Sequence, residues 1–270
     1  MSRHLRVPVA DTVLDCNDTE GRGQPVLLLN GAFATQHHWK KVLPLLTDRY
    51  RVVTFDGRAR GKSGTSSDYS FAGSLDDVTA ILEATDLQRP ILAGWSYGAA
   101  IAVRYAAQHP DKVAGAVCID GALPVDPVND ALRHKIRKQF RSFAIPMKIM
   151  AVLGLGARMP AALAAEANIE MLEVLADIAI DYAQTQCPIT VIKATGKHPG
   201  ATEEEMRTVR ANLDPVVAAN RNVTVYSTVP ANHTHIVARH PDTIAAAIDT
   251  IASRVSHRAQ QPGDPASRQE

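Results

Sequence analysis

The sequence predicts an α/β protein built on a central, mostly parallel sheet with helices on both faces. Two observations lead to that class. Short continuous apolar runs such as PVLLLN (25–30) and PILAGWS (90–96) are typical of strands that are buried on both sides. Segments with helical spacing lie between these runs, and strands that alternate with helices in this way pair in parallel.

Each predicted element follows from its local pattern. Residues 4–16 alternate loosely between apolar and polar side chains, which indicates a short hairpin at a sheet edge. Apolar runs predict strands over 25–30, 50–56, 90–96, 113–120, 188–194 and 222–229. Helical spacing predicts helices over 37–48, 74–86, 97–109, 202–219 and 241–255.

The alternation of strands and helices stops between residues 122 and 186, where no strand pattern is found. We therefore expect one α/β core, formed by residues 1–121 and 187–255, and a helical lid at 122–186. Residues 256–270 are polar and contain proline, which predicts a disordered tail.

Charge and composition limit the classes of partner. The 270 residues carry 29 lysines and arginines against 28 aspartates and glutamates, so the chain lacks a basic footprint for nucleic acid. The longest apolar run, 149–157, is too short to span a membrane, and the first residues lack the apolar stretch of a signal peptide. Three widely spaced cysteines favour reduced thiols over disulfides. We expect a cytoplasmic protein with a small-molecule substrate and no membrane or nucleic-acid partner; a homodimer stays open.

The segment GWSYG (94–98) has the pattern G-x-S-x-G between a predicted buried strand and a predicted helix of small residues. A sharp turn from strand to helix lifts the Ser96 hydroxyl above the sheet edge, and Gly94 and Gly98 leave room for the crowded backbone. The helix N-terminus then favours negative charge beside the serine. The alternative is that Ser96 only caps the helix.

Three further segments extend the pattern, and together they resemble the α/β-hydrolase superfamily over about residues 20–255. LLLNGAF (27–33) is similar to the family's His-Gly turn, with Asn30 in place of the commoner histidine. FDGRARGKSG (55–64) is similar to D-x-R-G-x-G-x-S, with Ala59 in place of glycine. NHTHIVARHPD (232–242) resembles the closing histidine loop. The resemblance implies a lid-bearing hydrolase with a serine nucleophile.

The segment GRARGKSG also invites comparison with a phosphate-binding loop. That loop requires a glycine five residues before Gly61, and Asp56 stands there instead. We expect Asp56 and Arg58 to form a buried structural turn, and we expect no cofactor. The histidines are scattered and the cysteines lie far apart, so no metal site is predicted.

A serine hydroxyl needs a general base to act as a nucleophile at neutral pH. The resemblance implies that this base follows the last strand, where His233, His235 and His240 are available. His240 stands directly before Pro241 at the expected helix start. His233 is the preferred base, and His235 stays open as the alternative.

The third catalytic residue is a carboxylate that orients the histidine. Most of the superfamily carries it in a turn after the penultimate strand, but the matching segment ATGKHPG (194–200) holds none, and Glu203 and its two neighbours follow on an expected helix start. Haloalkane dehalogenases and zearalenone lactonases instead carry the acid after the strand that follows the nucleophile helix. Asp120 occupies that position, and the alternatives are a purely turn-forming Asp120 or a catalytic Asp126.

The oxyanion hole needs two backbone N–H donors. The resemblance implies that Tyr97 supplies one and Ala32 the other, with Gly31 or Phe33 as alternatives to Ala32. The predicted lid is rich in methionine and aliphatic residues, which favours a hydrophobic substrate. The predicted substrate-binding residues are Phe33, Trp95, Leu123, Met147, Met150 and Leu153.

These residues predict a serine hydrolase that acts through a Ser96–His233–Asp120 triad and an acyl-enzyme. Its substrate would be an ester, lactone or thioester of a hydrophobic small molecule. Two alternatives stay open at this point: a carbon–carbon bond hydrolase with the same triad, and a non-catalytic relative that binds small molecules.

Overall fold

An eight-stranded sheet forms the centre of the computed structural model, which describes residues 2–153, 156–198 and 200–260. The spatial order of the strands is β1-β2-β4-β3-β5-β6-β7-β8. Their bounds are β1 Arg3–Val9, β2 Thr12–Asp18, β3 Gln24–Leu29, β4 Tyr50–Phe55, β5 Ile91–Trp95, β6 Gly115–Ile119, β7 Ile189–Ala194 and β8 Val223–Val229.

The strands of the sheet interior are almost wholly apolar, because helices cover both of their faces. All residues of β5 and β6 are buried, and these two strands pair in parallel, with Trp95 beside Ile119. The predicted N-terminal hairpin is present as β1 and β2, which pair antiparallel at one edge of the sheet. The α/β class with a mostly parallel sheet is thereby confirmed.

Helices pack on both faces of the sheet. One face is covered by α2 (Phe71–Thr85) and α3 (Tyr97–Gln108), together with α8 (Asp214–Ala219). The other face is covered by a 3-10 helix (Gln36–Lys41) and α10 (Pro241–Gln260), with α1 (Leu43–Leu46) and α9 (Ile236–Arg239) beside them. Because β3 to β8 pair in parallel, their carboxyl ends meet at one edge of the sheet.

Helix boundaries differ from the sequence prediction where prolines interrupt the pattern. The predicted helix 37–48 is a 3-10 helix followed by the short α1, which has Pro44 in its first turn. The predicted helix 202–219 likewise divides into α7 (Glu203–Ala211) and α8, with Pro215 in the first turn of α8. Proline is favoured in a first turn because its missing N–H has no helical partner there.

The C-terminal helix is longer than the sequence predicts. It continues to Gln260 instead of ending at residue 255, so the first part of the expected tail is helical. The remaining part of that tail, residues 261–270, lies outside the described residues.

Three helices connect β6 to β7: α4 (Asp130–Ser142), α5 (Ala144–Val152) and α6 (Ala161–Gln184). The N-terminal half of α6 packs against α4, and Arg137 of α4 pairs with Glu166 of α6 at 2.7 Å. The C-terminal end of α6 lies on the core instead, because Tyr182 is fully buried there and Arg104 of α3 pairs with Asp181. The expected lid boundary at residue 186 therefore includes two helical turns that pack as core.

Candidate active site

The strand-to-helix turn between β5 and α3 presents the hydroxyl of Ser96. This residue has φ 56° and ψ −114°, a conformation that costs a non-glycine residue free energy and that tight surroundings must hold in place. A Cβ atom on Gly94 would lie 2.1 Å from the carbonyl oxygen of Gly98, and one on Gly98 would lie 2.3 Å from that of Leu29. Both glycines are therefore required by close backbone contacts.

The end of the neighbouring strand β6 holds the carboxylate of Asp120, which is 3% exposed. The Ser96 N–H donates to the Ile119 carbonyl at 3.0 Å, so the two strand ends are bonded together. Asp120 also has a positive φ, 44°, which turns its side chain at the strand end. Its Oδ1 accepts a hydrogen bond from the Ala194 N–H at 2.9 Å. The carboxylate is thus bound to β7, the next strand of the sheet.

His233 connects this carboxylate to the serine. Its Nδ1 lies 2.8 Å from Asp120 Oδ2, and its Nε2 lies 2.9 Å from Ser96 Oγ. Because an ionised carboxylate only accepts hydrogen bonds, Nδ1 carries the proton and Nε2 presents its lone pair to the serine hydroxyl. The loop that follows β8 is held in place by a hydrogen bond from the His233 N–H to the Lys197 carbonyl, at 3.1 Å. The three predicted residues form one continuous hydrogen-bonded chain.

The alternative histidine and carboxylates lie elsewhere. His235 is exposed and precedes the first turn of α9, where its carbonyl accepts from two backbone N–H groups of that helix. Glu203 is exposed in the first turn of α7, where its charge favours the helix dipole. Asp126 is also exposed. The structure therefore does not bring His235, Glu203 or Asp126 to the serine.

Aromatic rings surround the imidazole of His233. Trp95 Nε1 donates to the His233 carbonyl at 3.2 Å, and the centroids of the two rings are 5.8 Å apart. The ring of His198 lies closer, at 4.1 Å between centroids. His198 belongs to the segment ATGKHPG, whose missing carboxylate had drawn attention to that loop. The contact of His198 with His233 was not predicted from the sequence. The sequence indicated only that the loop of His198 follows β7 and so lies at the carboxyl end of that strand.

The turn after β3 carries the expected second oxyanion donor, Ala32. Asn30 anchors this turn because its amide donates to the Phe55 carbonyl at 2.6 Å and accepts from Trp39 Nε1 at 2.7 Å. The Ala32 N–H donates to no acceptor within the described part of the chain. The Tyr97 N–H is the first of α3 and so has no partner within the helix. Both groups are therefore available to an oxyanion.

A cavity of about 60 Å³ lies beside this turn. Its walls come from the turn, from α3 and from the inserted helices, and they include Phe33, Tyr97, Met159 and Met171. The Tyr97 hydroxyl lies 3.0 Å from that of Ser74, and burial raises the pKa of Tyr97 to about 12. The cavity is thus mainly apolar, with a few polar groups at defined positions.

Among the predicted substrate-binding residues, Phe33 lines this cavity. Trp95 is buried against His233, and Leu123 is buried in the main core. Met147 packs against a small cluster that includes Met159. Met150 and Leu153 are 43% and 63% exposed on the outer side of the insertion. In this conformation the five residues other than Phe33 do not line the cavity.

Asp56 and Arg58 lie in a buried turn, but they do not pair with each other. Asp56 accepts from the Gln36 and Lys62 N–H groups, at 2.8 and 3.1 Å. Arg58 instead pairs with Asp77 of α2, at 2.9 Å. The segment similar to D-x-R-G-x-G-x-S therefore joins the end of β4 to the 3-10 helix through Asp56 and to α2 through Arg58.

Within residues 2–153, 156–198 and 200–260, no group of three or more metal-ligating side chains comes together. Across the same ranges, no helix has both the length and the apolar character needed to cross a membrane.

Comparisons with known proteins agree with this architecture. A family model described as the alpha/beta hydrolase fold matches residues 24–146. The haloalkane dehalogenase of Mesorhizobium japonicum is 26% identical over 146 residues, 53% of this chain and 47% of that protein. The match covers 44% of a putative non-heme haloperoxidase of Mycobacterium phage D29 and 39% of a fluoroacetate dehalogenase of a Burkholderia species. The chain thus spans less than half the length of each of these three curated relatives.

Solved structures extend the likeness to nearly the whole chain. A thermophilic esterase of Thermogutta terrifontis has a TM-score of 0.71 at 20% identity and covers 94% of this chain and 99% of its own. The enol-lactonase of Burkholderia xenovorans has a TM-score of 0.71 at 16% identity, over 92% and 100%. Identity this low shows the fold alone. The strand order of the sheet and the family model matched to residues 24–146 agree with this result, and the chain has the α/β-hydrolase fold.

Proposed function

We propose that the protein is a serine hydrolase that cleaves an ester, lactone or thioester of a small hydrophobic molecule. One observation carries the proposal: the continuous chain of hydrogen bonds from Ser96 Oγ through His233 to Asp120, with distances of 2.9 and 2.8 Å. This arrangement matches the requirement of nucleophilic catalysis for a hydroxyl, a base and an orienting carboxylate.

The first half of the reaction forms an acyl-enzyme. Ser96 Oγ attacks the carbonyl carbon while its proton moves to His233 Nε2, and the carbonyl oxygen becomes an oxyanion. The Ala32 and Tyr97 N–H groups hold this oxyanion, and the ionised Asp120 stabilises the imidazolium. The tetrahedral intermediate then collapses, the bond to the leaving oxygen or sulfur breaks, and His233 returns the proton to the leaving group.

The second half releases the acid. A water molecule gives its proton to His233 as its oxygen attacks the acyl carbon, and a second tetrahedral intermediate forms. When this intermediate collapses, the bond to Ser96 Oγ breaks and the serine regains its proton from His233. The net reaction adds one water to the substrate and needs no cofactor.

The serine at position 96 favours acyl transfer over halide displacement. Displacement of a halide by serine would leave an alkyl ether, which water cannot readily hydrolyse. An aspartate nucleophile instead leaves an ester, which water can cleave. Similarity to a haloalkane dehalogenase therefore does not extend to that activity in this proposal. An acyl substrate also suits the apolar wall that Phe33, Met159 and Met171 present.

A fluorophosphonate probe and two substrates test the proposal. We expect the wild-type protein to be labelled by the probe and to hydrolyse 4-nitrophenyl butyrate, and Ser96→Ala to lose both properties. Ser74→Ala is the matched control, because Ser74 lines the neighbouring cavity and its hydroxyl contacts Tyr97 instead of His233, so its labelling should persist. Absent labelling together with absent ester turnover would contradict the proposal. Turnover of a ring-cleaved dienoate in place of the ester would favour carbon–carbon bond hydrolysis.

A further inference from the structure

The wall of the cavity contains a cation without a carboxylate partner. The guanidinium of Arg60 lines the cavity, and no Asp or Glu oxygen of the described chain lies within 4.0 Å of it. Arg58, two residues earlier, shows the contrast, because it pairs with both Asp77 and Asp68. Charges that are taken from water are normally paired. Arg60 is thus the charge on this wall that the protein itself does not balance.

Backbone carbonyls satisfy only part of the Arg60 side chain. Its Nε donates to the Ala32 carbonyl at 2.7 Å, its Nη2 donates to the same oxygen, and its Nη1 donates to the Arg58 carbonyl at 2.6 Å. A guanidinium has five N–H donors, so two remain beyond these three bonds. Neutral carbonyls leave the positive charge in place, and burial lowers the pKa of Arg60. A bound anion would offset that cost of burial.

Arg60 binds the turn that carries the proposed oxyanion donor. The Ala32 residue whose carbonyl it binds is the one whose N–H is proposed to hold the oxyanion. Arg60 also lines an outer groove, together with Phe33, whose ring centroid lies 5.9 Å from its guanidinium carbon. Arg60 and Phe33 thus line both the groove and the cavity. A substrate that occupied both the groove and the cavity would contact Arg60.

The outer groove supplies no competing anion. Its two carboxylates, Asp15 and Asp56, are buried and already accept hydrogen bonds from neighbouring groups. Lys40 and Lys62 line the same groove, and neither pairs with a carboxylate in the described part of the chain. The charges on this route thus favour an anion over a neutral or cationic molecule.

We propose that Arg60 binds a carboxylate of the substrate, so that the preferred substrates are acyl compounds with an apolar chain and a free carboxylate. This inference rests on the proposed function and specifies its substrate class. Arginine suits the role because its planar donors match a carboxylate in geometry. The competing interpretation is that Arg60 only positions the Ala32 turn, and the two interpretations predict different changes in selectivity.

A pair of substrates of similar shape measures this selectivity. Mono-4-nitrophenyl adipate carries a carboxylate where 4-nitrophenyl hexanoate carries a methyl group. We expect the wild-type kcat/KM, after subtraction of spontaneous hydrolysis, to favour the adipate by about tenfold or more, and the preference to weaken as salt is added. Arg60→Gln should lower the adipate-to-hexanoate ratio at least tenfold, whereas Arg60→Lys should retain part of it.

The chain offers a matched control for these variants. Arg158 also donates to backbone carbonyls of the same turn, those of Gly61 and Ser63, but it is exposed and does not line the cavity. Arg158→Gln should leave the ratio unchanged. Equal losses on both substrates in Arg60→Gln would show a positioning role alone and overturn the proposal, as would a wild-type protein without preference.

A binding measurement separates this proposal from the proposed function. Calorimetry on Ser96→Ala compares monomethyl adipate with methyl hexanoate and does not depend on turnover. We expect tighter binding of the adipate, and loss of that difference when Arg60→Gln is added. Equal binding of the two esters, or no binding of either, would overturn the carboxylate site. A failed fluorophosphonate labelling alongside selective adipate binding would instead contradict only the hydrolase.

Discussion

Replacement of Asp120 by asparagine tests the roles proposed for the catalytic chain. The amide oxygen of asparagine can still accept from the Ala194 N–H, which Asp120 Oδ1 accepts at 2.9 Å. The amide nitrogen then faces His233 Nδ1, where Asp120 Oδ2 lies at 2.8 Å. Two donors cannot face each other, so the imidazole must place its proton on Nε2. In that tautomer it cannot accept the proton of Ser96.

The expected loss follows from this change of tautomer and from the missing charge that stabilises the imidazolium. Loss of the orienting carboxylate in a triad lowers kcat by roughly 10⁴-fold, which corresponds to about 5.5 kcal/mol at 1.36 kcal/mol per tenfold. The fold itself should change little, by about 1 kcal/mol in the free energy of unfolding, because the bond to β7 survives. Asp120→Asn should therefore lose nearly all of its activity while it keeps most of its stability.

The assay is hydrolysis of 4-nitrophenyl butyrate, with urea unfolding as the measure of stability. Glu203→Gln is the matched control, because Glu203 is an exposed carboxylate near the position where most of the superfamily carries its acid. It should keep kcat within a factor of two or so of the wild type. A folded Asp120→Asn protein with more than a tenth of wild-type kcat would refute the reasoning, and so would a comparable loss in Glu203→Gln.

Two further predictions concern stability. Gly98→Ala should lower the free energy of unfolding by about 3 kcal/mol, because its Cβ would lie 2.3 Å from the Leu29 carbonyl oxygen. Gly57→Ala is the control and should leave the free energy of unfolding unchanged, because the nearest atom to its Cβ would be 3.9 Å away. Equal urea midpoints for the two variants would contradict this prediction. The raised pKa of Tyr97, from 10.0 to about 12, means that the folded protein retains a proton which the unfolded chain releases, so stability falls as pH rises from 10 to 12. In urea unfolding, Tyr97→Phe should reduce this loss of stability between pH 10 and 12, whereas replacement of the exposed Tyr226 by phenylalanine should leave it unchanged. If stability falls equally with pH in Tyr97→Phe and in the wild type, the pKa of Tyr97 is not raised.

Local pattern was sufficient for the sheet but not for every helix. Strands such as β5 and β6 are buried on both faces, so a continuous apolar run is what their surroundings require. The helix predicted over 37–48 divides because proline at position 44 suits the start of a new helix better than the interior of a longer one. Such a division depends on two adjacent turns, which apolar spacing does not detect.

In the candidate site too, features contained in one short segment could be predicted, whereas contacts between distant segments could not. Ser96 could be predicted because its turn is contained in five residues. The prediction of Asp120 rests instead on the resemblance to hydrolases that carry the acid after the strand that follows the nucleophile helix. The ring of His198 against His233 depends on contact between two loops, and no short segment encodes that contact. Among the predicted substrate residues only Phe33 lines the cavity, because helix packing decides which face of the insertion turns inward.

The placement of the inserted helices has a consequence for how new substrate preferences can arise. The insertion leaves the sheet after β6 and returns at β7, and these strands are direct neighbours. Ser96, Asp120 and His233 all lie on segments outside it, so its sequence can change without moving the residues proposed to carry out catalysis. The limit is the end of α6, where Tyr182 belongs to the core. We therefore expect that exchange of the segment between Asp130 and about residue 175 would change selectivity while the proposed catalytic residues stay in place at the strand ends.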